Sequence, residues 1–257
     1  MDIYISLGGG YYDQFINEVV VPHNLETFVL VSYLYGRNIP KNKFDAITGR
    51  GGKIMIDSGA FTFMKSGKKI VWEEYAEQYA EWVKQNNMEL FMELDIDSLI
   101  GFDYERVKQL RNRIEKIVGK QSIPVWHYNR GADGFIEMCK KYPYVAVGGL
   151  VLESSKYKRC HDAFPWFIKT AHSYGAKIHA LGFTDTKKLH EFHFDSADSS
   201  TWNLPAKYGR VKIFNGKYIQ YAIPYVKGER LAADKNRLIR FSLLEWVKFQ
   251  QYAKIHL

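Results

Sequence analysis

Cysteine is nearly missing from this chain. Cys139 and Cys160 are the only two in 257 residues, so neither a disulfide scaffold nor a four-cysteine zinc site can be built, and a reducing cytoplasm is the expected setting. Long apolar runs are missing as well. No stretch of about 18 apolar residues occurs, which excludes a membrane-spanning helix. The opening segment, Met1-Asp2-Ile3-Tyr4-Ile5-Ser6-Leu7, lacks the basic stretch and apolar core of a secretory leader, so export is not expected. There is no Pro/Ser-rich linker, internal repeat or low-complexity tract, and one domain over 1–257 is the simplest expectation. Hydrophobic residues at 46% and charged residues at 25% exclude a disordered chain.

What is plentiful is positive charge and aromatic surface. The formal net charge is +8, and 16% of residues are Phe, Trp or Tyr. A mild basic excess fits a solvated surface, and it fits equally a polyanionic partner whose bases stack on aromatic rings. Composition does not choose between them.

Short β-branched runs alternate with helical patterns. Strands are predicted at Ile3–Leu7, Thr27–Tyr33, Lys53–Ile56, Leu90–Leu94, Ile123–His127, Tyr144–Val147, Lys177–Leu181 and Phe192–Ser196. Several are nearly continuous apolar runs, as expected where helices cover a parallel sheet. Over Trp72–Gln85, the residues Trp72, Tyr75, Ala76, Tyr79, Trp82 and Val83 share one helical face. Tyr104–Val118 repeats the pattern with Val107, Leu110, Ile114 and Ile117; Pro165–Ser173, Thr186–Glu191 and a long closing Leu238–Ile255 are further helices. The alternation predicts an α/β fold of the (β/α)8 barrel type. Val211–Ile223 breaks the rhythm, and Asn215-Gly216 between two alternating runs predicts an antiparallel hairpin insertion.

Carboxylates cluster at the C-terminal ends of these strands. Asp57 follows Lys-Ile-Met-Ile, Asp95 and Asp97 follow Leu-Phe-Met-Glu-Leu, and Asp195 and Asp198 lie in Phe-His-Phe-Asp-Ser-Ala-Asp-Ser. Each alone is explained by a cap or turn. On several strands of one barrel they converge on the mouth where catalytic groups sit. Two further strand ends carry unusual residues: His127-Tyr128 after Trp126, and Gly148-Gly149 before Leu150. Paired glycines let a flat ligand approach the backbone, or simply form a tight turn. His179 reads as a mouth residue or a hydrogen-bonded core histidine. Gly8-Gly9-Gly10 and the glycines near Lys53 match no phosphate-cradling spacing, and His190 and His193 with Asp195 and Asp198 match no zinc motif, so no metal and no cofactor are expected.

Taken together, these motifs resemble the tRNA-guanine transglycosylase superfamily, from about Lys53 to Trp202. Asp57-Ser58-Gly59-Ala60-Phe61 is similar to its Asp-Ser-Gly-Gly-aromatic motif, Leu94-Asp95 to its Leu-Asp-Glu segment, and Val147-Gly148-Gly149-Leu150 to its Gly-Gly-Leu turn. His179-Ala180-Leu181-Gly182 is similar to its Leu-Met-Gly strand end, and Asp195-Ser196-Ala197-Asp198-Ser199 falls at its nucleophilic aspartate. The chain departs from the tRNA enzymes in having no cysteine-rich zinc element. Ser200-Thr201-Trp202-Asn203 stands where they have Pro-Thr-Arg, and no glutamine reads the base, His127 being nearest. These departures resemble the compact branch (DpdA-type), of phage or bacterial cytoplasm, that exchanges guanine in DNA for a 7-deazaguanine such as preQ0.

That resemblance implies a covalent base exchange, with Asp198 as nucleophile (Asp195 as the competing choice) and Asp57 as general acid/base. It implies Asp95, Ser58, His127, His179 and the turn Gly148-Gly149-Leu150 around the base, with Phe61 and Leu181 sandwiching it. A flipped-out or single-stranded target would meet Lys65, Lys68 and Lys69 after Asp57, and Lys207, Arg210, Lys212 and Lys217 after Asp198, unless these are solvated loop cations. Other proteins are possible partners, and no membrane is expected. Competing readings are a zinc-less transglycosylase acting on RNA, a non-catalytic nucleic-acid-binding paralogue, and an unrelated barrel glycosidase or aldolase.

Overall fold

The computed structural model describes residues 1–8, 10–65, 69–149, 161–183, 185–223, 225–226, 229–230 and 234–257. Eight parallel strands form one sheet: β1 (Asp2–Leu7), β2 (Phe28–Ser32), β3 (Lys53–Asp57), β4 (Leu90–Phe91), β5 (Val125–Trp126), β6 (Tyr144–Val147), β7 (Lys177–Ala180) and β8 (Ser196–Ser199). Their order is β4-β3-β2-β1-β8-β7-β6-β5. The two edges then meet. Met92 bridges Ile123 in parallel, the Ile123 N–H donates to Phe91 at 2.8 Å, and the Glu93 N–H donates to Ile123 at 3.0 Å. The sheet is thereby closed into a (β/α)8 barrel, and its helical layer lies outside.

Alternation along the strands builds two cores. Tyr4, Phe28, Leu30, Met55, Met92, Ile123, Val125 and Ala146 fill the barrel interior. Ile3, Ile5, Val29, Val31, Ile54, Ile56, Val145 and Ile178 face the helices. The best-patterned helices form where expected, Trp72–Gln85 and Tyr104–Val118. The second is capped by the Asp103 carboxylate, which accepts the Arg106 N–H at 3.0 Å, and ends at Gly119 in the left-handed region. The closing helix runs Lys235–His256 and starts on Asp234, which accepts from the Asn236 and Arg237 N–H groups. Among the described residues no helix is long and apolar enough to cross a membrane.

Several elements differ from expectation. Helices Lys41–Thr48 and Gly131–Lys141 were not foreseen, and the latter opens on Gly-Ala-Asp-Gly, which weakens the pattern. The regular pairing of β4 and β5 is short because the Val125 N–H, the next donor on the β4 side after Ile123, is taken by the Glu93 side chain at 2.7 Å. β8 begins at Ser196 rather than Phe192: Phe192 and Phe194 pack edge-on against Phe164 in the outer layer. Among the described residues, the connection after β7 holds only the 3₁₀ turn Lys188–His190 in place of the expected helix. The hairpin of β9 (Val211–Phe214) and β10 (Ile219–Ala222) forms as predicted and packs in that gap. Thr186 and His190 bond it on one side, Ser242 and Glu245 of the closing helix on the other.

The closing helix also seals the bottom of the barrel. The buried Gln250 amide donates to the carbonyls of Ile3 (2.7 Å) and Phe28 (2.6 Å) and accepts from the Thr27 hydroxyl (2.8 Å). Gln250→Leu removes three buried hydrogen bonds and is expected to destabilise the protein by about 2–4 kcal/mol, read as a lower urea midpoint at unchanged m.

Candidate active site

The mouth is built by the last inward-facing residue of each strand. On β3, Met55 faces the barrel interior, so alternation turns Asp57 inward as well, half-buried at the C-terminal end. Its carboxylate accepts the Gly59 N–H at 3.1 Å, in a turn that Gly59 makes at φ +77°. A Cβ there would come within 2.7 Å of Ser32 Oγ, so only glycine fits this turn. Ser32 pairs with Asp57 in register, and its buried hydroxyl has no hydrogen-bond partner among the described residues. It was not singled out from the sequence, although alternation in Phe-Val-Leu-Val-Ser points it inward.

Asp95 and His127 face each other across the closing seam, with Nε2 and Oδ1 2.6 Å apart and both side chains partly exposed. A buried ionic scaffold holds them. Arg130 binds Glu93 (2.8 Å) and both oxygens of Asp97 (3.0 and 2.6 Å), and Arg111 binds the other Glu93 oxygen at 3.0 Å. Asp97 therefore belongs to this scaffold and not to the free carboxylates of the mouth. Ligand atoms of Asp95, Asp97 and His127 lie within 4.8 Å of one another, but the Arg130 guanidinium covers both Asp97 oxygens, and that donor set does not suit a cation.

Gly148 carries this pair. A Cβ at that position would stand 2.7 Å from Val125 and 2.8 Å from the His127 ring. The space expected for a flat ligand is filled by the histidine, and the Gly148 N–H donates to Trp126 at 2.8 Å. Gly148 thus supports His127 instead of reading a base with its amide. Gly148→Ala is expected to destabilise the protein by ~1–3 kcal/mol and to push the His127 ring off Asp95. A histidine NMR titration then shows the His127 pKa falling toward its ordinary value.

On β8, Asp198 is inward and nearly buried. It accepts from the Gly182 N–H and from His179 Nε2 (3.3 Å). His179 Nδ1 meets Ser196 Oγ, which also meets the Tyr144 hydroxyl. One arrangement satisfies the whole chain: Tyr144 donates to Ser196, Ser196 to Nδ1, and Nε2–H to Asp198. Fully buried beneath Asp198, His179 is the hydrogen-bonded core histidine of the two readings: it positions that carboxylate and does not line the mouth around a base as the resemblance implies. Asp195 lies at the opposite end of the strand. Its carboxylate accepts the Ile178 N–H at 2.8 Å and pairs with His172 at 3.0 Å, so it cannot share the mouth with Asp57.

The electrostatics couple three carboxylates. Burial, then the charges of Asp95 and Asp198, push Asp57 up to about 7, against the opposing pull of the Gly59 and Ser58 amides. Burial also pushes Asp95 up, but the charge and hydrogen bond of His127 outweigh it and hold Asp95 below the usual carboxylate range. For His127 burial pulls downward, and Asp95 prevails by raising it. The mouth thus combines a neutral-pH acid, an ion pair and a positioned carboxylate.

Of the other expected residues, Ser58 is fully buried, accepts the Asp95 N–H at 3.4 Å and is a structural link. Leu181 packs on the interior core at the mouth. Gly149 is half-buried at the rim with φ +73°. Lys69, Lys207 and Arg210 are exposed on βα connections, and Lys217 is exposed at the hairpin tip. Lys212 is not free for a phosphate: it is buried, its ammonium lies 3.9 Å from the centre of the Tyr221 ring, and burial lowers its pKa. Lys68, Leu150 and the side chains of Phe61 and Lys65 lie outside the described residues.

The fold defines the chain as a (β/α)8 barrel with a carboxylate-lined C-terminal mouth. A solved structure of the same architecture, a candidate fructose-1,6-biphosphate aldolase from Coccidioides immitis, aligns over 99% of this chain and 91% of its own with a TM-score of 0.57 at 8% identity. At that identity the likeness concerns the fold. No protein-family model and no curated protein matches the chain.

Proposed function

We propose that this barrel is an enzyme, a base-exchange transglycosylase that replaces guanine in DNA with a 7-deazaguanine. The observation that carries the reading is the coupled trio Asp57, Asp95 and Asp198, in which one carboxyl titrates near neutrality. Asp198, oriented by His179 and Gly182, attacks C1′ of the target nucleotide. The C1′–N9 bond breaks, an aspartyl-glycosyl ester forms, and protonated Asp57 gives its proton to the departing guanine. The incoming 7-deazaguanine then attacks C1′ with its N9, Asp57 takes the N9 proton, and Asp198 is released. A group titrating near 7 is suited to both transfers. The Asp95 oxygen not facing His127 would accept the N1–H and 2-NH2 donors of the base, which rejects adenine by leaving a buried acceptor unpaired. Exposed Lys69, Lys207 and Arg210 supply phosphate contacts on the same face.

The test is intact-protein mass spectrometry after incubation with a guanine-containing single-stranded oligonucleotide and denaturation. The expected result is an adduct of protein plus strand less one guanine, absent with an inosine-free, guanine-free strand. No adduct together with no exchanged base in the strand contradicts the proposal.

A further inference from the structure

Beside the mouth lies a cavity of about 550 Å³ whose walls include Gly8, Tyr11, Tyr12, Asp13, Tyr35 and Asn38. Its position follows from topology. Gly8 directly follows β1, where Tyr4 pairs with Asp198 of β8. Tyr35 and Asn38 follow β2, where Ser32 pairs with Asp57 of β3. The cavity therefore opens on the βα face between the two strands that bear the reacting carboxylates.

Its walls suit a flat, hydrogen-bonding ring. Tyr35 is 41% exposed, and Tyr12 is 1% exposed with a hydroxyl that has no partner among the described residues. Gly8 presents no side chain, and a Cβ there would meet nothing within 4 Å. Tyr11 is fixed edge-on against Trp202 at 5.1 Å. Trp202 is fully buried and donates its indole N–H to the Ser6 carbonyl at 2.9 Å. That tryptophan belongs to the segment that follows β8, so the cavity wall and the Asp198 strand are braced together. The Asp13 charge is offset by Lys43 at 3.4 Å. Aromatic walls, an amide and an unpaired phenol in a volume of this size suit a small planar ligand.

We propose that this cavity holds the nucleobase adjacent to the one being exchanged, so that the enzyme grips an unpaired dinucleotide step and not a single flipped base. The inference rests on the base-exchange reading. Stacking one base on such walls is worth a factor of ~5–150 in affinity.

Fluorescence anisotropy with labelled single strands tests it, comparing an intact strand with strands abasic on either side of one guanine. Wild-type protein is expected to lose at least about 5-fold in affinity for one of the two abasic strands. Tyr35→Ala is expected to lose a similar factor for the intact strand and no longer to distinguish the two. Asn38→Ala, at an exposed position, provides a second variant with the same expected direction. Equal wild-type affinity for intact and abasic strands overturns the pocket while leaving base exchange standing. Failure to bind any strand, with no exchange, overturns both.

Discussion

Asp198→Asn is expected to lower base exchange by about 10⁴-fold or more and to eliminate the covalent adduct, whereas Asp195→Asn keeps both within a few-fold of wild type. The contrast follows from the position of β8. Its first residue pairs with Asp2 and its third with Tyr4, so the two aspartates, three residues apart, sit at opposite ends of the barrel. Asp198 is held by Gly182 and His179, and an asparagine preserves that shape while removing the charge that attacks C1′. Losses of this size are typical when a covalent nucleophile is removed. Asp195→Asn should show itself in stability instead, because it weakens the bonds to Ile178 and His172. Exchange measured by radiolabelled guanine release decides the matter, and an Asp195 variant that is inactive while Asp198→Asn turns over would reverse the assignment.

Asp57→Asn is expected to lower exchange by ~10²–10⁴-fold, the range of general acid–base catalysis, and at the same time to stabilise the protein above neutral pH. The sign follows from proton linkage. The Asp57 carboxyl has an ordinary value of 3.8 and is pushed up to about 7 in the folded protein. Between those values the folded state binds more protons than the unfolded state, so stability falls as pH rises from about 4 through 7. The full shift is worth at most about 4 kcal/mol, less what partial solvent access screens. Asparagine carries no such penalty. The variant should melt several degrees higher than wild type at pH 8, and the gain should vanish below pH 4. In the wild type, the rate of adduct formation, which needs Asp57 protonated, should fall above pH 7. A stability gain that is flat with pH would mean that Asp57 is an ordinary carboxylate.

These predictions depend on residues that were only partly legible in the sequence. Helices Trp72–Gln85 and Tyr104–Val118 could be bounded to the residue because their apolar faces are uninterrupted and the second has its own cap. Asp57, Asp95 and Asp198 could be found because carboxylates at strand ends converge in any barrel. The limits of β8 could not be read. Ser-Ala-Asp-Ser has little intrinsic strand preference, and it is a strand because β1 and β7 pair with it from both sides. The two phenylalanines before it imitate a strand while packing outward. Asp97 looked equivalent to Asp95, and only a contact with Arg130, 33 residues along the chain, removes it from the mouth. Lys212 looked like a phosphate contact until the Tyr221 ring covered it. Residue type and spacing fix which groups a strand presents, whereas pairing partners that are distant in sequence decide whether those groups are free to react.

The most direct measurement is nucleoside mass analysis after incubating the protein with 7-deazaguanine bases and, in parallel, single-stranded DNA, duplex DNA or total tRNA. A 7-deazaguanine deoxynucleoside in the DNA digests, dependent on Asp198, is the predicted result. The corresponding ribonucleoside from tRNA alone would move the chemistry to RNA, and unmodified nucleosides in every digest would contradict the base-exchange account.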